Sequence, residues 1–181
     1  MDIRQRLHAQ LSARFDGDLI RGEMGLCLGE TRVDVAVVNG HLHGYEIKSE
    51  RDTLARLSGQ VALYDRVLDY STVVCGARHL DKVLAAIPHR WGVMVANADD
   101  VGAVTLRPVR APKINKAVHP LSVAQLLWRD EAAAILHTRG ERVLRRETRW
   151  ELWDRLAQLP LRTLQRHVRD TLKARRDWPG G

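Results

Sequence analysis

Cysteine is scarce in this chain, and no spacing offers a covalent or metal staple. Two of the 181 residues are cysteine. Cys27 and Cys75 each sit among apolar neighbours, which predicts buried free thiols in a reducing cytoplasm. No Cys/His spacing resembles a zinc site, so the small zinc-held folds are excluded. No apolar run approaches the roughly 20 residues needed to span a bilayer, and no membrane role is expected. The stretch MDIRQRLHAQLSARF is charged throughout. It lacks the apolar centre of a secretory signal peptide and again points to the cytoplasm. Internal repeats and low-complexity tracts are absent, and only the closing DWPGG reads as disordered. What remains is a chain with 45% hydrophobic residues. That is enough for a core without staples, in one compact domain or one domain plus a small appendage.

The apolar pattern predicts an α/β fold. Ile3, Leu7, Leu11 and Phe15 recur at helical spacing, so residues 2–15 read as a helix. Residues 32–38, RVDVAVV, alternate and are valine-rich, which predicts a strand. Asn39-Gly40 is a strong hairpin signal, and a second strand, HLHGYEIK over 41–48, is expected to pair antiparallel with the first. Ser49 and Asp52 resemble a capping box. Leu54, Leu57, Val61, Tyr64 and Leu68 then form one stripe, predicting a helix over 51–69. Strands are expected at 71–76, 91–96 and 101–107, with a short helix over 79–86. After a proline-bearing loop the texture becomes helical, with helices over 122–138, 142–159 and 161–175 punctuated by Gly140 and Pro160. The expectation is an α/β core over 1–110 and a basic helical segment over 111–181.

The net charge of +7 is unevenly spread. From Arg139 to Asp177 there are twelve Arg/Lys against six Asp/Glu, while everything before Arg139 is nearly balanced. A basic segment of this kind suits a polyanionic partner. On the last helix Arg162, Arg166, Arg169 and Lys173 follow three-four spacing on a face apart from the apolar stripe Leu161, Leu164, Val168 and Leu172. Such a row can track a phosphate backbone, or it can be a solvated helix face.

The chemistry-bearing residues lie around the hairpin. Strand alternation puts Glu46 and Lys48 on one face with Ile47 turned away. A hairpin at Asn39-Gly40 brings Asp34 beside Glu46. Phosphodiester hydrolysis needs a neutralised phosphate and an activated water, and a hard divalent cation held by oxygen ligands supplies both. Asp34, Glu46 and the backbone carbonyl of Ile47 are the oxygens available for Mg²⁺ or Mn²⁺. Lys48 is placed to orient the water or stabilise charge on the phosphate. An E-x-K pair alone is common, and its bland reading is a salt bridge.

The string RVDVAVVNGHLHGYEIKSERDTLARLSGQ resembles the core of the PD-(D/E)XK nuclease superfamily. It is most similar to a family of small bacterial and phage proteins that share the GYEIKS strand. The likeness extends to Trp91-Gly92 and to LLWRDE at Leu126–Glu131. The resemblance implies a restriction-endonuclease-like αβββαβ core with a mixed sheet, two acidic metal ligands at Asp34 and Glu46, and a catalytic lysine at Lys48. Many members also use a glutamate on the first helix, but residues 2–15 contain none. Glu23 is the best substitute and Glu30 a weaker one. The resemblance also gives Gln60 a role in ordering the site or its lysine. Tyr64, four residues on, shares its helix face, but it also fits the apolar stripe, and core packing is its better explanation.

The function expected is a Mg²⁺-dependent nuclease acting on DNA, with a homodimer as one possible assembly. The alternatives are a non-catalytic DNA-binding or protein-interaction protein on the same fold, and an RNA-directed or toxin-like nuclease. His41 and His43 at the hairpin tip lack a third metal ligand and are expected at the surface. His79, His89 and His119 are expected there too. Trp150 and Trp153 fit a helical core pattern better than base stacking.

Overall fold

The computed structural model of the chain describes residues 2–99 and 102–178. Six strands form one mixed sheet whose spatial order follows the chain. They are β1 (Leu19–Leu26), β2 (Thr31–Val38), β3 (Leu42–Lys48), β4 (Tyr70–Gly76), β5 (Gly92–Ala98) and β6 (Val104–Arg110). β1, β2 and β3 form an antiparallel meander, β3, β4 and β5 run parallel, and β6 returns antiparallel. Parallel neighbours need long crossovers, and the helices α2 (Leu57–Tyr64) and α3 (Leu80–Ala86) lie in them. With α1 (Ile3–Arg14) in front of β1, the order through β4 is αβββαβ. Four helices follow β6: α4 (Pro120–Ala124), α5 (Arg129–Thr138), α6 (Arg149–Ala157) and α7 (Leu161–Ala174).

The two faces of the sheet are covered differently. Leu7 and Leu11 of α1 pack on Val35, Val37, Tyr45 and Val74. The opposite face, with Val38, Leu42, Val73 and Val93, carries Tyr64, Leu68, Leu127, Leu136, Leu152, Leu156, Leu164, Val168 and Leu172 in one continuous core. The change of texture near residue 110 therefore does not separate two cores: the basic helices complete the core that the sheet begins. Gly44 belongs to this packing, since a β-carbon there would lie 2.4 Å from Leu68 Cδ1. Cys27 and Cys75 are buried free thiols. Among the described residues no helix is long and apolar enough to cross a membrane.

Several boundaries differ from the sequence reading, each for a local reason. The stripe Leu54–Leu68 is helical only over Leu57–Tyr64. Asp52 Oδ2 accepts from both the amide (2.7 Å) and the hydroxyl (2.6 Å) of Ser49, closing a turn rather than starting a helix. The expected helix 122–138 breaks before Trp128, whose amide donates to Glu131 Oε2 at 2.7 Å and starts α5 afresh. Thr148 and Glu151 form a capping box that delays α6 to Arg149. The hairpin pairs Val38 with Leu42, so its loop holds Asn39, Gly40 and His41. The expected strand 101–107 begins at a residue outside the described ones. Of the tail expected to be disordered, 179–181 also lie outside them. Trp178 is described, and its ring stacks on the Arg175 guanidinium at 4.6 Å.

Asp69 latches the last helix to the hairpin. It is 3% exposed. Its Oδ2 accepts from the Leu42 amide at 2.7 Å and its Oδ1 from Gln165 Nε2 at 2.6 Å, and Arg169 of α7 stands 3.6 Å away. Removing a buried acceptor strands its donors and costs the desolvation of each. Asp69→Ala is expected to lower stability by about 2–4 kcal/mol in urea unfolding, and Gln165→Ala by no more than about 1 kcal/mol. Equal losses would show that the latch is not centred on the carboxylate.

Candidate active site

Three carboxylates stand in one row across three adjacent strands. The β1–β2 register pairs Gly22 with Val35 and Met24 with Val33, which sets Glu23 opposite Asp34. The β2–β3 ladder runs from Val38↔Leu42 to Val35↔Tyr45, and its next step sets Asp34 opposite Glu46. The backbone ladder gives way at this row. Glu23 has φ 51°, in the left-handed region that a non-glycine residue occupies only under strain. Beside it, the Asp34 side chain takes over a backbone role, with Oδ2 accepting from the Ile47 amide at 2.7 Å.

Glu46 is the most fully engaged of the three. It is 3% exposed and Lys48 is 5% exposed. Oε1 accepts from Lys48 Nζ at 2.7 Å and from Gln60 Nε2 at 2.6 Å, and Oε2 accepts from the Tyr64 hydroxyl. The Tyr64 hydroxyl oxygen also lies 2.7 Å from the Arg32 carbonyl oxygen, so its one proton is shared between two acceptors, and the ring stacks on Trp91, with centroids 5.8 Å apart. Tyr64 is thus both a core residue and a site residue, where the sequence pattern favoured core alone. Helix α2 supplies Gln60 and Tyr64 from one face because residues four apart in a helix are neighbours. The Gln60 amide nitrogen is fixed by Glu46, which leaves Gln60 Oε1 as a buried acceptor with no hydrogen-bond donor.

Arg4 is the residue that sequence reasoning missed. Its guanidinium donates to Glu23 Oε1 and, through Nη2 at 2.6 Å, to Asp34 Oδ1. The helix without a glutamate thus delivers a cation to the row. The only signal was that Arg4 follows Ile3, the first residue of the buried stripe, and so sits beside the buried side of its helix. Glu23, Asp34, Glu46 and Gln60 line a common cleft of about 690 Å³, with Glu30 on its wall.

The electrostatics follow from burial and crowding. Burial, and then the nearby Glu46, push the Asp34 carboxyl up from 3.8 to about 6, against the opposing pull of the Ile47 amide and Arg4. Burial and Glu46 also raise the Tyr64 phenol, which stays a donor. The oxygen-rich donor set suits a hard divalent cation. Yet among the described residues no three His, Cys, Asp or Glu side chains stand close enough together to hold an ion as arranged. Arg4 takes one oxygen from each of two carboxylates, and three donors take the third.

The basic row of α7 is divided. Arg162 and Arg166 are exposed. Arg169 faces Asp69, and Lys173 pairs with Asp18 at 3.0 Å. His79, expected at the surface, is buried beside Arg78. His43 is half-buried, hydrogen-bonded to Thr72 at 2.9 Å, and pushed down to about 3 by burial. Trp153 is core, whereas Trp150 is 47% exposed.

Fold and cleft together define an α/β protein with a mixed sheet and an acidic cleft on the β1–β3 meander, with Lys48 buried behind Glu46. Residues 6–177 match the family described as Bacteriophage P4 protein cII, and the chain belongs to that family. It is 25% identical over 121 residues to protein cII of Enterobacteria phage P4, covering 67% of this chain and 46% of that protein. The chain thus spans less than half the length of that relative. A solved protein of unknown function from Silicibacter pomeroyi is similar with a TM-score of 0.47 and 22% identity, over 81% of this chain and 99% of that one.

Asp34 generates a pH prediction. Between 3.8 and about 6 the folded state holds a proton that the unfolded state has released. The stability this contributes is full below the unfolded value and is lost as pH rises through about 6. Asp34→Asn removes the titration while keeping an acceptor for Ile47. Its stability relative to wild type is expected to rise between pH ~4 and pH ~8 by on the order of 1–3 kcal/mol. Parallel chemical melts at the two pH values measure this, and a pH-independent difference refutes it.

Proposed function

We propose that this protein is a Mg²⁺- or Mn²⁺-dependent nuclease with a PD-(D/E)XK-type, restriction-endonuclease-like core, acting on DNA in the cytoplasm. The observation that carries the reading is the row Glu23–Asp34–Glu46 with Lys48 bound to Glu46, at the place where the β2–β3 ladder opens. Asp34, Glu46, the Ile47 carbonyl and Glu23 are the oxygens that would hold the cation. A hard divalent ion among them supplies charge neutralisation and an activated water. The orphaned Gln60 Oε1 and the raised Asp34 carboxyl fit a site that is short of positive charge and donors.

The chain's own groups then have distinct tasks. Lys48, whose buried ammonium Glu46 holds, would stabilise charge on a phosphate oxygen or orient the attacking water. Gln60 and Tyr64 fix Glu46, and through it the lysine. Arg162 and Arg166 remain exposed on α7 to meet a phosphate backbone. Arg169 and Lys173 contribute less, being engaged by Asp69 and Asp18.

A second reading has its own support. Every Glu46 oxygen is already hydrogen-bonded and Arg4 spans the other two carboxylates, an arrangement that also suits a non-catalytic DNA-binding or interaction protein. A cleavage screen over duplex, single-stranded and branched DNA and over RNA, with Mg²⁺ and Mn²⁺, separates the two. Cleavage that Lys48→Ala reduces by at least about 10²-fold supports the nuclease. No cleavage of any substrate, or cleavage that survives Lys48→Ala, refutes it.

Binding has a separate signature. Each phosphate contact on duplex DNA adds about −0.9 to the slope of log K against log salt. Arg162→Gln with Arg166→Gln is expected to make that slope shallower by up to about two contacts' worth, with affinity falling alike on all sequences. Unchanged slope and affinity would leave these arginines as a solvated helix face.

A further inference from the structure

We propose that Arg4 is the resident counter-ion of the carboxylate row, and that a divalent cation enters only by displacing it. The inference rests on the nuclease reading for the identity of the cation, but its geometry is independent of catalysis. Arg4 comes from α1, yet its two hydrogen bonds go to carboxylates of β1 and β2 that stand opposite each other in register. One guanidinium therefore spans two of the carboxylates that would hold a metal. Arginine stays charged at all working pH values, so deprotonation cannot vacate the position. Only exchange for another cation can.

Three further features fit exchange rather than permanent structure. The Arg4 side chain is 44% exposed, as is that of Glu23, so the ion pair faces solvent at one side and has room to swing. Asp34 keeps its second oxygen on the Ile47 amide, so losing Arg4 leaves that carboxylate in place. Glu46 is neutralised separately by Lys48 and does not depend on Arg4. The released guanidinium remains tethered beside the cleft, where its planar fork suits a phosphate oxygen pair. Arg4 thus lowers affinity for the metal alone and becomes available when metal and phosphate arrive together.

The test is a titration of Mn²⁺ alone, followed by loss of the free-ion EPR signal, on the full chain as wild type, Arg4→Gln and Asp34→Asn. Arg4→Gln should bind Mn²⁺ about tenfold more tightly than wild type, equivalent to ~1.4 kcal/mol and in keeping with two partly screened ion pairs. Asp34→Asn should lose the site. Equal or weaker binding in Arg4→Gln, with wild type still binding and Asp34→Asn not, overturns the counter-ion role and leaves the metal site standing. Binding that Asp34→Asn does not affect places the ion elsewhere and overturns the proposal. No Mn²⁺ binding by any of the three proteins overturns both the proposal and the metal-dependent reading beneath it.

Discussion

Negative charge concentrated on three adjacent strands is the constraint around which this molecule is arranged. Neighbouring carboxylates on a sheet repel, and partial burial strengthens the repulsion. The fold answers with a lysine for one and a shared arginine for the other two. Glu46, the deepest, has a lysine two residues along its own strand and two donors from α2. Asp34 has a backbone amide on one oxygen and a guanidinium on the other. Glu23, the most exposed, shares that guanidinium. The raised Asp34 carboxyl marks where compensation is incomplete.

These partners come from both faces of the sheet. α1 covers one face and contributes Arg4, while α2 sits on the other and contributes Gln60 and Tyr64. The opening of the β2–β3 ladder after Val35↔Tyr45 brings the two sets together. Backbone hydrogen bonds given up at that opening are partly replaced by the Asp34–Ile47 bond, so the distortion that makes the cleft also uses one of its acidic groups.

Much of this was legible in the sequence because it depended on local rules. Period-two alternation placed Glu46 and Lys48 together, and Asn39-Gly40 located the hairpin, but the register that sets Asp34 opposite Glu46 comes from a third loop residue, His41, which the sequence pattern assigns to the strand. The αβββαβ order came with the resemblance. Less legible were features that depend on contacts between distant segments. Residues 19–26 did not declare themselves as a strand, since Gly22, Glu23 and Gly25 interrupt its alternation, and Glu23 bends the backbone to φ 51°. Arg4 reads as one surface arginine among several until the helix is docked on the sheet. Likewise the three-four spacing of Arg162, Arg166, Arg169 and Lys173 is real, but Asp69 and Asp18, far away in the chain, engage Arg169 and Lys173. The helix over 51–69 was overextended because apolar residues in turns serve the core as well as those in helices.

The shared core has a consequence for how such a protein can be taken apart or recombined. The recognisable motif ends well before residue 110, yet the apolar face behind it is closed by Leu152, Leu156, Leu164, Val168 and Leu172 from the far end of the chain. Motif and folding unit are therefore different lengths. A gene fragment carrying the carboxylates and the lysine alone would inherit the chemistry without its scaffold. The heritable module is the sheet together with the helical cover that seals it.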